Sequence, residues 1–243
     1  MKKILYIIIT ILLIAYLGAS IYFLTTKRPN STLCEKVETV IADSLEKTFL
    51  KEKDVVTYLT KANLYPLNKK NSEINTHQIE EALLKNDIIG SVEVVQSVSG
   101  KITIKIWQRM PVLRVFSANG NYFVDKEGMI IPSLPGQAIF VPVASGNIEK
   151  SFAVSELYKF ALYLQNDSFW NDLITQIYVR STKDVEIVPR IGNQRILMGS
   201  LDDFEKKLGK LRKFYEQVIP KMGWEKYSVI NLKYKNQIVC TKK

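Results

Sequence analysis

The chain has 243 residues and a formal net charge of +10 at pH 7, and its length suffices for one or two domains with proper cores. Residues 1–33 carry a net charge of +4, residues 34–199 carry none, and residues 200–243 carry +6. The positive charge therefore lies at the two ends, without a basic groove along the chain. This distribution does not predict binding to nucleic acid.

The N-terminal segment predicts a membrane anchor. After a short tail, residues 1–3, the segment Ile4–Leu24 carries no charge, and as a helix it would span about 31 Å, enough for a bilayer core. A cleaved signal peptide is the alternative, because Gly18-Ala19-Ser20 resembles a cleavage site. The apolar run is longer than the roughly 7–15 residues usual in such peptides, so the sequence favours an uncleaved transmembrane helix.

The orientation of this helix follows less directly from charge. Lys2 and Lys3 on one side nearly balance Lys27 and Arg28 on the other, so the positive-inside rule almost ties. A tail of three residues is easily left in the cytoplasm while the large following region is translocated, and that region has no second apolar span. We therefore expect a single-pass type II protein with its bulk in the periplasm or outside the cell.

A polar linker, residues 25–33, is predicted to lead into a small domain, residues 34–108. In this domain Ile102, Ile104 and Ile106 alternate with polar residues, which indicates a half-buried strand. The predicted elements are a strand at Glu35–Ala42, helices at Lys51–Asn63 and Asn75–Asn86 with Asn75 as an N-cap, and a hairpin that turns at Ser97–Gly100. The order β-α-α-β-β predicts a small open sheet with two helices on one face.

The second predicted domain, residues 109–243, has an α+β pattern. One amphipathic helix is expected at Phe152–Gln165, and another is expected to begin at Ser200 as its N-cap and to end at Pro220. Strands are predicted at 112–116, 122–125, 174–180, 185–190 and 194–199, with a loop at 132–150 that contains a short strand, and with a terminal hairpin. The predicted fold of this domain is α+β, with a mainly antiparallel sheet and two helices.

The terminal hairpin predicts an edge strand. Its residues are Ile230, Leu232 and Tyr234 in the first arm, Lys235-Asn236 in a two-residue turn, and Gln237, Ile238, Val239 and Cys240 in the returning arm. An edge strand either pairs with an added chain or is blunted by charged residues. Lys242 and Lys243 would serve for blunting, and Tyr234 would then be a core residue, so both interpretations stay open.

The helix after Ser200 carries a run of basic side chains. They are Lys206, Lys207, Lys210, Arg212 and Lys213. Such a run is typical of a solvated helix face. The alternative is a basic surface that steers an acidic partner segment, in which case the association rate would fall as the salt concentration rises.

The sequence offers little for catalysis or metal binding. The one histidine, His77, has no serine or cysteine in a pattern that predicts a nucleophilic site, and Gly-rich phosphate loops are absent from the sequence. Cys34 and Cys240 each lack the companions of a metal site. No cofactor, metal or small-molecule substrate is therefore predicted. A disulfide between the two cysteines would require the two ends of the region to meet, and their redox state stays open.

One enzyme class shares the predicted organisation. Type I signal peptidases also have an N-terminal anchor and a β-rich domain, and their nucleophilic serine lies two residues before a Met-Pro pair. Here Met110-Pro111 is preceded at that position by Gln108, whose side chain cannot attack a carbonyl. We therefore expect a protein that is not an enzyme.

The segment Gly100–Pro132 resembles the junction of the bacterial cell-division family FtsQ, also called DivIB. That family has Glu-Arg-x-Pro after an alternating strand and then a Val-Asp-x-x-Gly hairpin. The corresponding residues here are Gln108-Arg109-Met110-Pro111 and Val124–Gly128, and Gly223–Cys240 resembles the C-terminal hairpin, especially its form in Bacteroidetes. The resemblance covers the whole chain in order, and its departures are the very short tail and the glutamine.

The resemblance implies a POTRA domain next to the membrane and a β domain after it. It implies a divisome scaffold in the inner membrane at the septum, which recruits FtsB-like and FtsL-like partners and so supports septal cell-wall synthesis. In this family the C-terminal edge takes up an FtsB segment as an added strand. The matching residues here are Tyr234, with an aromatic ring suited to an interface centre, and Gln237, Ile238, Val239 and Cys240.

Two other classes stay open at this point. A POTRA-like domain also occurs in factors for outer-membrane assembly or secretion, which usually carry a barrel or several POTRA copies. The chain would alternatively be a membrane-anchored binding module for cell-wall material.

Overall fold

The computed structural model of the chain describes residues 2–26, 33–42, 49–97, 99–133, 139–181 and 183–243. The chain forms two compact units. The smaller unit consists of Met1–Ala42, Leu50–Lys85 and Ser91–Ile106, and the larger unit consists of Asp43–Phe49, Asn86–Gly90 and Trp107–Lys243.

The chain begins with one long helix, α1, at Lys2–Thr26. Its side chains are described at Tyr6 and from residue 8 to residue 23, and the large apolar ones among them are exposed. Within the part of the chain that the structure describes, no helix is both long enough and apolar enough to cross a membrane. Lys2 and Lys3 of the predicted tail belong to α1, and most of the predicted linker, residues 27–32, lies outside the described residues.

The rest of the smaller unit has the predicted β-α-α-β-β order. Its elements are β1 (Lys36–Ile41), α2 (Glu52–Lys61), a 3₁₀ turn (Asn71–Glu73), α3 (Thr76–Leu84), β2 (Ile89–Gln96) and β3 (Lys101–Gln108). The ends of the last two strands, Ile89–Gly90 and Trp107–Gln108, are counted with the larger unit. In its sheet β3 lies between β1 and β2, and β1 runs parallel to β3. Ile102, Ile104 and Ile106 are fully buried, as their alternation predicts. The predicted N-cap is confirmed, because Asn75 Oδ1 accepts a hydrogen bond from the Gln78 N–H at 3.1 Å.

The larger unit is built on a mixed sheet of nine strands. Its strands are β4 (Pro111–Ser117), β5 (Gly120–Asp125), β6 (Ile130–Pro132), β7 (Val143–Gly146), β8 (Ile174–Ser181), β9 (Asp184–Pro189), β10 (Arg195–Gly199), β11 (Tyr227–Asn231) and β12 (Val239–Lys242). Their order in the sheet is β12-β11-β10-β9-β8-β7-β4-β5-β6. The pairings β4–β7, β7–β8 and β10–β11 are parallel and the other five are antiparallel, so the sheet is more mixed than the sequence predicts.

The helices of this unit enclose its core against the sheet. They are α4 (Lys150–Phe152), a π-helical segment (Ala153–Leu157), α5 (Tyr158–Asn166), α6 (Ser168–Leu173), α7 (Phe204–Gln217) and α8 (Ile219–Met222). The segment from α4 to α5 is the first predicted helix, and α7 is the second. The short helices α6 and α8 were not predicted. Leu157, Phe160 and Leu208 of the helices share one buried cluster with Ile177 and Ile196 of the strands.

The predicted start of the second long helix is wrong. The helix begins at Phe204, and Asp203 before it has φ +51°, in the left-handed region. A residue in that conformation cannot continue a right-handed helix back to Ser200. Pro220 does not end a single long helix either, because it lies in the first turn of the separate short helix α8, a position where its missing N–H costs nothing.

The Gln-Arg-x-Pro and Val-Asp-x-x-Gly motifs meet in the larger unit. The Asp125 side chain is 3% exposed and accepts a hydrogen bond from Arg109 Nη1 at 2.9 Å. Its other oxygen accepts from the N–H groups of Glu127 and Met129 at 2.9 and 2.7 Å. Gln108 is buried, and its Oε1 accepts from the Phe49 N–H at 2.8 Å. Arg109 and Asp125 therefore hold the turn after β5, and Gln108 binds the backbone at Phe49.

Candidate partner-binding edge

The larger sheet, as described, ends at β12. This strand pairs antiparallel with β11, with Asn231 opposite Val239 and Ile230 opposite Cys240. The Lys243 N–H donates to the Lys226 carbonyl at 3.3 Å, which shows that the Lys243 N–H points toward β11. Because backbone groups of successive strand residues point to opposite sides, the N–H groups of Lys242 and Cys240 point to the open side. The edge strand predicted from the sequence is therefore present.

The side chains of β12 fall on two faces. Cys240 and the preceding Ile238 are half-buried and pack against the core of the larger unit. Val239 lies on the opposite face, where its side chain is 41% exposed. An added strand would thus meet an apolar strip on one face, which continues the core, and a single exposed valine on the other.

The predicted two-residue turn is wrong. β11 ends at Asn231 and β12 begins at Val239, so a seven-residue loop, residues 232–238, separates them. The strand stops because Asn231 Oδ1 accepts the Lys233 N–H at 3.0 Å, a local bond that competes with the ladder. Tyr234 therefore lies in this loop, 49% exposed, and not in a strand or in the core. Gln237 and Ile238, predicted in the returning arm, also lie in the loop, because β12 begins only at Val239.

The predicted basic surface on α7 is largely engaged by the chain itself. Lys206 pairs with Asp203 at 2.9 Å, and Arg212 pairs with Asp167 at 2.6 Å while its guanidinium lies over the rings of Phe169 and Trp170.

Two of its lysines donate to backbone carbonyls. Lys207 Nζ donates to Ser200 at 2.6 Å and to Met198 at 3.2 Å. Burial lowers the pKa of Lys207. Lys210 Nζ donates to the carbonyls of Tyr234 and Lys235. Only Lys213, which is exposed, has no such contact among the described residues. Steering by this surface stays a prediction, with less free charge than the sequence suggests.

Aromatic side chains of α7 pack against the start of β11 and the residues just before it. The Tyr215 ring stacks on Trp224 with a centroid separation of 5.4 Å, and the Phe214 ring lies 5.7 Å from that of Tyr227 at the start of β11. Burial raises the pKa of Tyr215 to about 12, although a hydrogen bond from Gln194 opposes the increase. The base of the edge is therefore well packed.

The cysteines are free thiols in this structure. Cys34 is buried in the smaller unit and Cys240 is half-buried in the larger one. Burial raises the pKa of both thiols, which lowers the fraction of reactive thiolate at neutral pH.

The residues considered for catalysis are not brought together. His77 is exposed and lies beside the carboxylates of Glu80 and Glu81, and Gln108 is a buried hydrogen-bond acceptor. Among the described residues there is no group of three or more His, Cys, Asp or Glu side chains that could hold a metal ion.

Sequence reasoning missed the residues that shape the loop. In the sequence Asn231 and Lys233 alternate with the apolar residues of the first arm, which is typical of the polar side of a strand. No local pattern indicates Asp184, which pairs with Lys233 at 2.7 Å. The one local signal was the asparagine, a residue that often ends a strand by bonding its own backbone.

Comparison with known families identifies both parts of the chain. A model described as POTRA-like domain matches residues 32–107, and a model described as FtsQ/DivIB, C-terminal related, matches residues 110–241. A search of curated proteins finds no match. Because the second match covers more than half of the chain, the chain belongs to the FtsQ/DivIB family.

Proposed function

We propose that the chain is a non-enzymatic cell-division scaffold that docks an FtsB-like partner as an added strand on β12, and an FtsL-like partner with it. FtsQ/DivIB-related domains suggest a cell-division scaffold. The observation that carries the finer proposal is the open side of β12, where the N–H groups of Cys240 and Lys242 point away from β11. Unpaired donors on an edge are what an incoming strand requires.

The side chains at this edge indicate the partner's chemistry. Ile238 and Cys240 are only half covered at the border of the core, so a partner strand with apolar residues at every second position would complete the burial. Val239 and Thr241 lie on the other face and leave room for polar partner residues. An amphipathic segment that alternates with period two fits this edge better than a uniformly apolar one.

Membrane attachment is part of the proposal and rests on the sequence of Ile4–Leu24, which carries no charge. The large apolar side chains that are described in α1 are exposed, as expected for a helix that meets lipid. We propose a single-pass type II arrangement in the inner membrane at the septum. Retention of the full chain in membranes after alkaline carbonate extraction would support an integral anchor, and complete release would contradict it.

Proline substitutions test the docking edge. Lys242→Pro removes an N–H that points to the open side, whereas Lys242→Ala removes the same side chain and keeps the donor. Edge strands tolerate proline where the N–H faces outward. We expect full-length wild type and Lys242→Ala, purified from their own cells, to retain FtsB-like and FtsL-like coiled-coil proteins. We expect Lys242→Pro to lose them by about tenfold or more, as for the loss of a hydrogen bond that leaves its acceptor unpaired.

A second pair of variants guards against an effect of folding. Cys240→Pro and Cys240→Ala repeat the comparison at the other outward N–H, and circular dichroism checks that all four variants are folded. Equal retention of partners by the folded proline and alanine variants would contradict docking on β12.

Depletion of the protein tests the division role itself. Cell filaments with normal outer-membrane assembly are expected on depletion, and a failure of outer-membrane assembly instead would contradict the division role.

A further inference from the structure

The loop between β11 and β12, residues 232–238, is held at its start by buried contacts. Leu232 is fully buried, and its N–H donates to the Leu197 carbonyl of β10 at 2.9 Å. The Asn231 carboxamide accepts the Lys233 N–H. The backbone therefore leaves β11 in a fixed direction, but these contacts do not reach the middle of the loop.

Lys210 of α7 holds that middle part. Its Nζ donates to the carbonyl of Tyr234 at 2.9 Å and to the carbonyl of Lys235 at 3.0 Å. Hydrogen bonds from a charged donor are stronger than those between neutral groups. One side chain thus satisfies two successive carbonyls and ties the loop to a packed helix.

Lys233 ties the same loop to the other side. Its alkyl chain lies over Gly199, where an added Cβ would come within 3.0 Å of Lys233 Cγ. Its Nζ reaches Asp184 at the start of β9, at 2.7 Å from Oδ1. Gly199 has φ +72°, so a side chain there would be strained as well as crowded. The loop is therefore fastened to α7 and to β9.

We propose that Lys210 and Lys233 form a latch that keeps the loop closed and holds β12 in register, so that the docking edge is preformed. In this view Lys210 is a positioning residue and not a steering charge. The strand β12 has four residues and one neighbour, so an unfastened loop of seven residues would let it fray. A preformed edge lowers the ordering cost of binding. The binding part of this inference rests on the proposed docking function.

Thiol labelling of the free, full-length protein tests the latch. Cys240 in β12 reports opening of the edge, and the buried Cys34 in the smaller unit serves as an internal reference. Lys210→Met is compared with Lys213→Met, which removes the same charge from an exposed site on the same helix. We expect maleimide labelling of Cys240, followed by peptide mass spectrometry, to be about tenfold faster in Lys210→Met, the factor for a lost bond to a charged donor. Lys213→Met should label as wild type.

Two further variants sharpen the result. Lys210→Arg keeps donors that reach the carbonyls and should restore slow labelling of Cys240, while Lys233→Met should accelerate it. Wild-type labelling of Cys240 in Lys210→Met would overturn the latch. Equal acceleration at Cys34 would also overturn it, because that result indicates general destabilisation.

Partner retention is measured separately on the same variants, by purification from their own cells. We expect Lys210→Met to lose the partners and Lys210→Arg, which keeps the charge and the donors, to retain them. Full retention by Lys210→Met would overturn the positioning role. If wild type retains no partner, the proposed docking function fails, while the labelling rates still decide the latch.

Discussion

The two units carry edge strands that differ in what faces them. In the smaller unit the outward N–H of Val94 in β2 donates to the Glu80 carboxylate of α3 at 2.8 Å. In the larger unit the outward N–H groups of Cys240 and Lys242 in β12 have no such side chain among the described residues. Val95 and Val239, one on each edge, are similarly exposed at 43% and 41%. The exposure of a valine side chain therefore does not distinguish the two edges. They differ in whether an outward backbone N–H already has a side-chain acceptor.

Side chains of neighbouring helices decide whether the backbone donors of an edge strand are occupied. One carboxylate from a neighbouring helix occupies a donor that an incoming strand would need, which is a common way of blunting an edge. At β12 the nearby helix α7 instead sends its lysine to the loop beside the strand. A side chain from a neighbouring helix therefore occupies a donor of the β2 edge, whereas the helix beside β12 binds the loop and leaves the outward donors of β12 free of such a contact among the described residues.

The strongest predicted effect is a loss of stability that is confined to the larger unit. Arg109→Met leaves the Asp125 carboxylate, which is 3% exposed, without its cation. Loss of one partner of a buried pair costs about 3 kcal/mol or more. All three tryptophans lie in the larger unit, so we expect urea unfolding followed by tryptophan fluorescence to show this loss.

Glu127→Gln is the matched control, because Glu127 also approaches Arg109 but is 63% exposed, and we expect a change below about 0.5 kcal/mol. Amide exchange at Ile104 reports the smaller unit and should stay as in wild type. Faster exchange at Ile104 in Arg109→Met would contradict the expectation that the loss of stability is confined to the larger unit.

The next prediction concerns the loss of stability at alkaline pH that follows from Tyr215, which packs beneath β11 and β12. The pKa of Tyr215 is raised from 10.0 to about 12 by burial, so the folded state favours the neutral phenol. The stability that this provides is present below about pH 10 and is lost as the pH rises toward 12. The difference of two pKa units corresponds to about 3 kcal/mol.

Urea unfolding at several pH values checks this expectation. Tyr215→Phe should lose less stability between pH 10 and pH 12 than wild type, because no phenol ionises at that site. Tyr178→Phe removes a tyrosine that is 41% exposed and should retain the wild-type loss of stability. Parallel alkaline curves for wild type and Tyr215→Phe would refute a role for this residue.

The weakest predicted effect frees the Val94 N–H on the β2 edge. Glu80→Ala removes the acceptor of the Val94 N–H, and we expect about 1 kcal/mol less stability in the smaller unit and about tenfold faster amide exchange at Val94. Glu81→Ala, at the exposed neighbouring position, should change neither. Unaltered exchange at Val94 in Glu80→Ala would mean that the carboxylate does not protect this edge.

Local patterns predicted much of this molecule. The alternation of Ile102, Ile104 and Ile106 predicted a half-buried strand with these residues inside, and Asn75 predicted a helix cap, because these signals depend on neighbours within a few residues. The edge strand followed from the same kind of pattern, apart from its bounds.

Such local patterns do not predict contacts between residues that are far apart in the sequence. The parallel pairing of β10 with β11 joins residues 34 positions apart, and the bonds from Lys210 to Tyr234 and from Arg109 to Asp125 span 24 and 16 residues. The sequence thus predicted a tight turn where Asn231 and Lys210 impose a loop, and a free basic face where most cations already have partners.

Site-specific photo-crosslinking compares the two edges most directly. A photoreactive amino acid replaces Val239 in β12 or Val95 in β2, two sites of nearly equal exposure, in dividing cells that carry the full chain. We predict adducts with an FtsB-like protein from position 239 and none from position 95. Adducts from position 95 without adducts from position 239 would contradict β12 as the docking edge.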